Sequence, residues 1–297
     1  MKIVLWVVLG IVGLVIIVFG GFGMWVYTAS NSAINATYNV SVTPFEIPAD
    51  STSLAYGKHV ATIRGCIGCH GADLGGGGED LNMGPLGSYY PTNITSGQGG
   101  KTANYTTADW IRSIRHGVKP DGSTAIMMPS YEYYPIGDED LAAMIAYLKS
   151  MPPVDRDNRP QEVGPVGRIL IATGQMKILT SAKFIDHDAP HPPAPERGVT
   201  VEYGEYLGTT CTGCHGENLA GGVNLGPNAP LSTNLTPGGL AEYDRDAFFT
   251  ALRAGYKADG SQIDKIMPYT QFAEMTDDEL DALWLYLQSL PAIENEY

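Results

Sequence analysis

The feature that most limits what this chain can fold into is a pentapeptide that occurs twice. Residues 66–70 read CIGCH and residues 211–215 read CTGCH, and the two together use every cysteine of the 297-residue sequence. Superimposing them brings their flanks into register. Tyr56-Gly57-Lys58 precedes the first and Tyr203-Gly204-Glu205 the second, and a glycine-rich turn follows each histidine, GADLGGGG and GENLAGGV. Further on, Thr92-Asn93-Ile94-Thr95 pairs with Thr233-Asn234-Leu235-Thr236, and Arg115-His116-Gly117 with Arg253-Ala254-Gly255. Asp121-Gly122 then pairs with Asp259-Gly260, and Met128-Pro129 with Met267-Pro268. The closing stretches are DEDLAAMIAYLKSMPP and DDELDALWLYLQSLPA. So many anchors in one order mean a tandem duplication of a unit of about 100 residues.

Each unit reads as mainly helical. In the closing stretches Leu141, Met144, Ile145 and Leu148, and again Leu280, Leu283, Trp284 and Leu287, recur at helical spacing. Asp138 and Asp277 are expected N-caps, followed by acids in the first turn, and Pro152 and Pro291 stop both helices. A short helix is expected ahead of each pentapeptide, from about Leu54 and from Val201. Gly57 and Gly204 there suit a close crossing against Tyr147 and Tyr286. A central helix is expected at Thr107–Arg115 and at Asp244–Arg253. The long turns between show little strand pattern. A unit this small and loop-rich makes a poor core unaided and needs a large apolar body in its middle.

Four readings compete for C-x-x-C. Zinc would need a second Cys or His pair at short spacing, and each unit holds only one pair. A thioredoxin-like redox pair expects a βαβ setting, which is missing. Two local disulfides would close very small loops and add little stability. Covalent haem attachment has the signature C-x-x-C-H and accounts for each residue. The thiols of Cys66 and Cys69, and of Cys211 and Cys214, add across the haem vinyl groups as thioethers. His70 and His215 are thereby placed to ligate iron. The cofactor expectation is two covalently attached haem c groups.

In this run of motifs the sequence resembles the class I cytochrome c family, and more closely the haem-bearing subunits of membrane-bound alcohol and gluconate dehydrogenases. The resemblance covers roughly residues 51–153 and 199–297. It rests on C-x-x-C-H-G, T-N-[IL]-T, R-x-G, D-G, Met-Pro and the acidic start of the final helix. Those subunits usually carry three haems, where this chain has two motifs. The resemblance implies a sixth iron ligand from a methionine ahead of the last helix. Met128 and Met267 fit, 62 and 56 residues beyond the first cysteine of their motifs. Met127 rivals Met128 and has no counterpart, since Ile266 stands there in the second unit. A methionine in such a place otherwise reads as core filler. Pro85 and Pro227, 15 and 12 residues beyond the histidines, are expected to offer a carbonyl to the ring N–H of the ligating histidine. Asn93, Asn234, Arg115 and Arg253 are expected donors to haem propionates. The competing reading of the two arginines is a surface ion pair. His59, His116, His187 and His191 have no histidine partner in the other repeat and read as ordinary residues, with His116 the one to watch.

The N-terminus carries a separate signal. From Ile3 to Tyr27 no side chain is charged, and as a helix these residues would run about 37 Å, enough to cross a hydrocarbon core of ~30 Å. Trp6 lies near one end and Trp25 and Tyr27 at the other, where rings favour headgroups. A cleaved signal peptide is the alternative, with Thr28-Ala29-Ser30 as small residues, but the apolar stretch is longer than such peptides use. The expected organisation is a transmembrane anchor at 1–28, an extended polar tether at 29–50 and a cytochrome c domain at 51–153. A connector at 154–198 and a second cytochrome c domain at 199–297 follow.

Haem attachment to C-x-x-C-H takes place outside the cytoplasm. That orients the chain as a single-pass protein of the cytoplasmic membrane, with its N-terminus inside and both haem domains in the periplasm or its equivalent. A formal charge of −14 argues against a nucleic-acid partner and suits basic protein partners. The expected function is electron transfer between redox proteins at the membrane surface by two His/Met-ligated haems, without catalysis by the chain itself. The alternatives are a subunit of a dehydrogenase or terminal oxidase complex and, from a different class, a dihaem peroxidase.

Overall fold

The computed structural model of the protein describes residues 2–78, 81–224 and 229–295. A long first helix, α1 (Lys2–Ile34), precedes two copies of one helical order. Module 1 comprises α2 (Ser51–Ile63), α3 (Cys66–His70), α4 (Thr107–Arg115), α5 (Ser130–Tyr133) and α6 (Asp138–Ser150). After α7 (Pro165–Thr173), module 2 repeats the order as α8 (Val201–Gly208), α9 (Thr212–His215), α10 (Arg245–Ala254), α11 (Tyr269–Phe272) and α12 (Asp277–Ser289). A small antiparallel sheet, absent from the sequence reading, joins β1 (Leu81–Asn82), β2 (Gly87–Tyr89) and β3 (Glu162–Val163) in that order. Leu81 faces Tyr89 across it, and Gly87 faces Val163.

In each module the first helix crosses the last, α2 on α6 and α8 on α12. The crossings fall at the two glycines. A methyl group on Gly57 would stand 1.9 Å from the carbonyl oxygen of Ala143, and one on Gly204 2.0 Å from that of Ala282. Around the first crossing Val60, Ala61, Leu141, Met144 and Ile145 are buried with Trp110 and Ile111 of α4. Tyr203, Leu207, Leu280, Leu283 and Leu287 gather in the same way around Phe248 of α10.

The closing helices begin one residue earlier than expected. Gly137 and Thr276 occupy the N-cap positions, and Asp138 and Asp277 are the first helical residues. Thr276 caps through its hydroxyl, and Glu279 returns a bond to the Thr276 N–H at 2.7 Å. Asp138 and Asp277 instead pair with Arg115 (2.6 Å) and Arg253 (2.7 Å).

The stretch expected as a tether is part helix and part strap. α1 continues to Ile34, with Val26, Ser30 and Ala33 buried where it packs on α7. Beyond it the Tyr38 N–H donates to the Gly122 carbonyl (2.8 Å) and Arg112 to the Val40 carbonyl (3.1 Å). Phe45 and Ile47 cover the core of module 1. The apolar side chains in this polar stretch are what fasten it down.

The two modules meet about an approximate twofold relation. Tyr56 donates to Asp140 (2.8 Å) within module 1, and Tyr203 to Glu279 (3.4 Å) within module 2. Each carboxylate also takes a partner from the other module. Tyr206 donates to Asp140 at 2.7 Å, and His59 lies 2.9 Å from both oxygens of Glu279. His59 and Tyr206 occupy equivalent positions, each three residues after the paired tyrosine.

Candidate haem sites

Each C-x-x-C-H forms about one turn of helix, α3 and α9, closed by a glycine that a side chain would strain. Gly71 and Gly216 have φ of 83° and 81°. The chain then folds back so that the His70 carbonyl accepts from Gly76 and the His215 carbonyl from Gly221, both at 2.9 Å. Leu74 and Leu219, buried in this turn, bond Ile94 and Leu235 and so draw the T-N-[IL]-T segment alongside the motif.

That segment supplies the histidine's partner. His70 Nδ1 lies 2.7 Å from the Thr92 carbonyl and His215 Nδ1 2.6 Å from that of Thr233. A carbonyl only accepts, so each Nδ1 carries the proton and leaves Nε2 as the lone-pair nitrogen for a metal. This corrects the expectation for Pro85. Its carbonyl abuts Gly164 at the sheet, on a 3₁₀ turn (84–86), and has no part in orienting His70. Pro227 lies outside the described residues, but the bond assigned to it is made by Thr233. Burial lowers the pKa of both histidines, which favours the neutral, metal-binding imidazole.

No disulfide closes either cysteine pair. Burial and the neighbouring Cys69 push the Cys66 thiol up to about 12, and burial and Cys214 push Cys211 up to about 12. Raised thiols are the reverse of the activated thiolate of a thioredoxin-like pair. Among the described residues no three His, Cys, Asp or Glu side chains converge as a protein metal cluster requires. Thiols and imidazole of each motif therefore serve different points, as attachment at a macrocycle's rim and ligation at its centre demand.

Module 1 encloses a cavity of about 560 Å³, within the range of ~300–1,000 Å³ for small-molecule sites. Cys66, Cys69 and His70 line it, with Met127 and Met128 also on its wall, and its flanks include Ile94, Trp110, Ile114 and Tyr133. Such an apolar, concave volume fits a haem. In module 2 the cleft bounded by Cys211, Phe248, Leu252 and Met267 holds about 40 Å³, so a macrocycle there requires its walls to part. The same donor types nonetheless occupy the same places. Met128 packs against the core cluster of module 1 that contains Cys66, and Met267 and Cys211 both border the core cluster of module 2. Met127, at φ 59°, packs instead with Leu81 and Ile126 in a separate cluster beneath the connector.

The four residues expected at the propionates all make bonds within the protein, and Arg115 Nε alone of their atoms is left buried without a partner among the described residues. The amide of Asn93 donates to the Val154 (2.8 Å) and Arg156 (3.1 Å) carbonyls and accepts from Thr95 N–H and hydroxyl. Asn234 repeats this with the Ile293 carbonyl (2.7 Å) and Thr236. Both clamp the chain leaving the closing helix, and the Asn93 amide has both of its hydrogens engaged. Arg115 bonds the Ile136 carbonyl and Asp138, and Arg253 the Ala273 carbonyl and Asp277, so each buckles its central helix to the start of its closing helix. The cations on the wall of the large cavity are Lys101 and Lys119, and Lys119 aligns with Lys257 of the second unit. His116 joins two connector histidines: its Nδ1 is 3.0 Å from that of His187, and its ring stands edge-on to His191. Burial, then the neighbouring His187, bring His116 down to about 4.

Tandem helical modules, each presenting two thiols and an oriented imidazole, define a dihaem electron-transfer protein. The chain belongs to the cytochrome c family: the family model for cytochrome c matches residues 54–152 and again residues 201–291. It is 30% identical over 276 residues to the cytochrome c subunit of a quinone alcohol dehydrogenase from Gluconacetobacter polyoxogenes, covering 82% of this chain and 57% of the relative. A diheme cytochrome c-type protein from Cereibacter sphaeroides is 28% identical over 264 residues, covering 80% of this chain and 86% of the relative. The gluconate 2-dehydrogenase cytochrome c subunit of Pantoea cypripedii is 27% identical, covering 82% and 61%. This chain thus spans little more than half the length of the dehydrogenase subunits it matches. As a member of this family it carries two covalent haem c groups and is an electron carrier.

Proposed function

We propose that the chain is a membrane-anchored dihaem cytochrome c that passes electrons between redox proteins on the outer face of the cytoplasmic membrane. In this reading His70 and Met128 ligate one iron, and His215 and Met267 the other. The observation that carries it is the matched placement of donors: in each module the methionine before the short helix lines the same cavity as the first cysteine of the motif. When bound, each haem supplies one-electron exchange between ferric and ferrous iron. Around it the protein holds the imidazole by the Thr92 and Thr233 carbonyls and excludes water with the buried walls of the modules. Neutral thioether ligation favours ferrous iron more than a second imidazole does.

α1 is one helix long and apolar enough to cross a membrane, and its exit supports the anchor reading. Arg168 of α7 donates to Ser30 (3.1 Å) and lies over the ring of Tyr27 (5.4 Å), where the apolar span ends. Residues 165–184 hold three basic and no acidic side chains in a chain of net charge −14, as suits contact with lipid headgroups. The relatives named as dehydrogenase subunits favour a second reading, in which this chain is the electron-transfer subunit of a membrane dehydrogenase complex.

Ligation is tested by Met128→Ala and Met267→Ala in the haem-loaded protein. Each variant should remove one of two methionine–iron charge-transfer bands and open one iron to cyanide. Two intact bands in either variant refute that ligand.

A further inference from the structure

Between the two attachment motifs lies a buried cation that haem attachment does not explain. Arg64, two residues ahead of Cys66, is 3% exposed. Its guanidinium reaches into module 2, donating to the Tyr206 carbonyl (3.1 Å) and the hydroxyls of Thr209 (2.9 Å) and Thr210 (2.8 Å). Thr210 immediately precedes Cys211, and Arg64 lines the same cleft as Cys211 and Met267. At its other end, the Arg64 carbonyl accepts from the Tyr133 hydroxyl (2.9 Å) inside module 1. One residue therefore ties the two motifs together, its main chain held in module 1 just ahead of Cys66 and its side chain just ahead of Cys211.

Its place follows from the twofold relation. In the repeat Arg64 corresponds to Thr209, its own acceptor, so the pair meets close to the axis. Two further contacts flank it. A methyl on Gly68 of the first motif would stand 2.0 Å from Gln271 Nε2, and one on Gly213 of the second 2.0 Å from Glu132 Oε1. Glu132 and Gln271 each lie four residues after the methionine of their module. Each module thus sets a side chain from its methionine loop on the other's attachment motif.

A guanidinium stays charged when buried. Among the described residues no carboxylate lies within ion-pairing distance of Arg64, and the acceptors named above are neutral. Reduction adds one electron, drawn from the donor protein, to each ferric iron, with no bond made or broken. A fixed positive charge near both irons disfavours the more positive ferric state, the more so where water does not screen it.

We propose that Arg64 is a shared tuning and positioning residue, whose buried charge raises the reduction potentials of both haems and whose bonds fix the spacing of the two motifs. This rests on haem attachment at both motifs. The experiment is an optical redox titration of the full-length, haem-loaded protein, wild type beside Arg64→Lys, Arg64→Gln and Glu132→Gln. Arg64→Gln should lower both midpoint potentials, whereas Arg64→Lys, which keeps the charge, should stay near wild type. Unchanged potentials in Arg64→Gln, a shift of one haem alone, or equal shifts in the Lys and Gln variants would overturn the proposal. Glu132 faces Arg64, Tyr131 and Cys214, and burial raises it to about 7. At pH 8 Glu132→Gln removes a negative charge and should raise both potentials. This variant decides the matter if Arg64→Gln does not assemble, since no shift would count against a shared field. Haem staining of the denatured wild type is the separate check on attachment: fewer than two covalent haems would sink that reading, whatever the potentials do.

Discussion

Replacing Gly57 by Ala sets local preference directly against packing, so even the sign of the outcome is informative. Within a helix, Ala is favoured over Gly by ~1 kcal/mol, and on propensity alone the variant would be more stable. The crossing predicts the opposite. The new methyl would stand 1.9 Å from the Ala143 carbonyl oxygen, 2.5 Å from its carbon and 3.1 Å from Tyr147 Cβ. Two of these are backbone atoms, so no side chain can swing aside. Real Cβ contacts stay beyond about 3 Å, and α2 and α6 must part by about 1 Å. Such a gap costs a quarter to a half of the contact energy along the seam, where Ala61, Met144 and Ile145 have no exposed surface. Overpacking of this kind costs typically ~1–3 kcal/mol, and the rigid obstacle puts it at the upper end. Net of propensity, a loss of ~2 kcal/mol remains, about 30-fold in the folding constant. Urea titration of the haem-loaded protein, followed by far-ultraviolet circular dichroism and haem absorbance, should show a midpoint lower by about 1 M. Gly204→Ala is an internal replicate, since its methyl meets the Ala282 oxygen at 2.0 Å. A neutral or stabilising effect at both sites would refute the account of the crossings.

Two further outcomes follow from the same geometry. Asn93→Ala and Asn234→Ala should each leave a buried carbonyl and a buried threonine short of partners, costing ~1–3 kcal/mol and lowering the thermal midpoint; an unchanged melt would show that the clamp is dispensable. His116 titrates near 4 in the folded protein against about 6.5 when unfolded. Its folded pKa is depressed, so the contribution is fully present above pH 6.5 and is lost as pH falls toward 4. The shift corresponds to ~3 kcal/mol, reduced by solvent screening to ~2 kcal/mol. His116→Gln should flatten the acid limb of stability against pH between those values, and an unaltered slope would remove His116 as its cause.

Much of the architecture was legible because it is local. The helices over 107–115 and 138–150, the glycine crossings and the shape of each motif follow from spacing, caps and the lack of a side chain. The surroundings of the haem sites are less legible, for a definite reason. Asn93 and Asn234, like Arg115 and Arg253, recur in both units. A duplicated unit repeats whatever builds its scaffold as faithfully as whatever holds its ligand. The partners that settle the matter are mostly backbone carbonyls, of Val154, Ile293, Ile136 and Ala273, and a carbonyl leaves no mark in a sequence. The same holds for Thr92 and Thr233, whose main chains, not their hydroxyls, orient the histidines.

The interface between the modules was illegible in the opposite way, because it is written in the positions where the repeats disagree. Near a twofold axis a residue meets its own counterpart or that counterpart's neighbours. Two arginines there would repel, and two glutamates would share a site that stabilises only one charge. Divergence resolves this: Arg64 faces Thr209, and Glu132 is answered by Gln271. His59 reaches across to Glu279 where its counterpart Tyr206 reaches Asp140. Agreement between the copies marks how a module is built, and disagreement marks where the two touch. The mismatched pairs are therefore where the two haem sites are made unequal, and Arg64, which lies just ahead of one motif and bonds the chain just ahead of the other, is where substitution should move both potentials together.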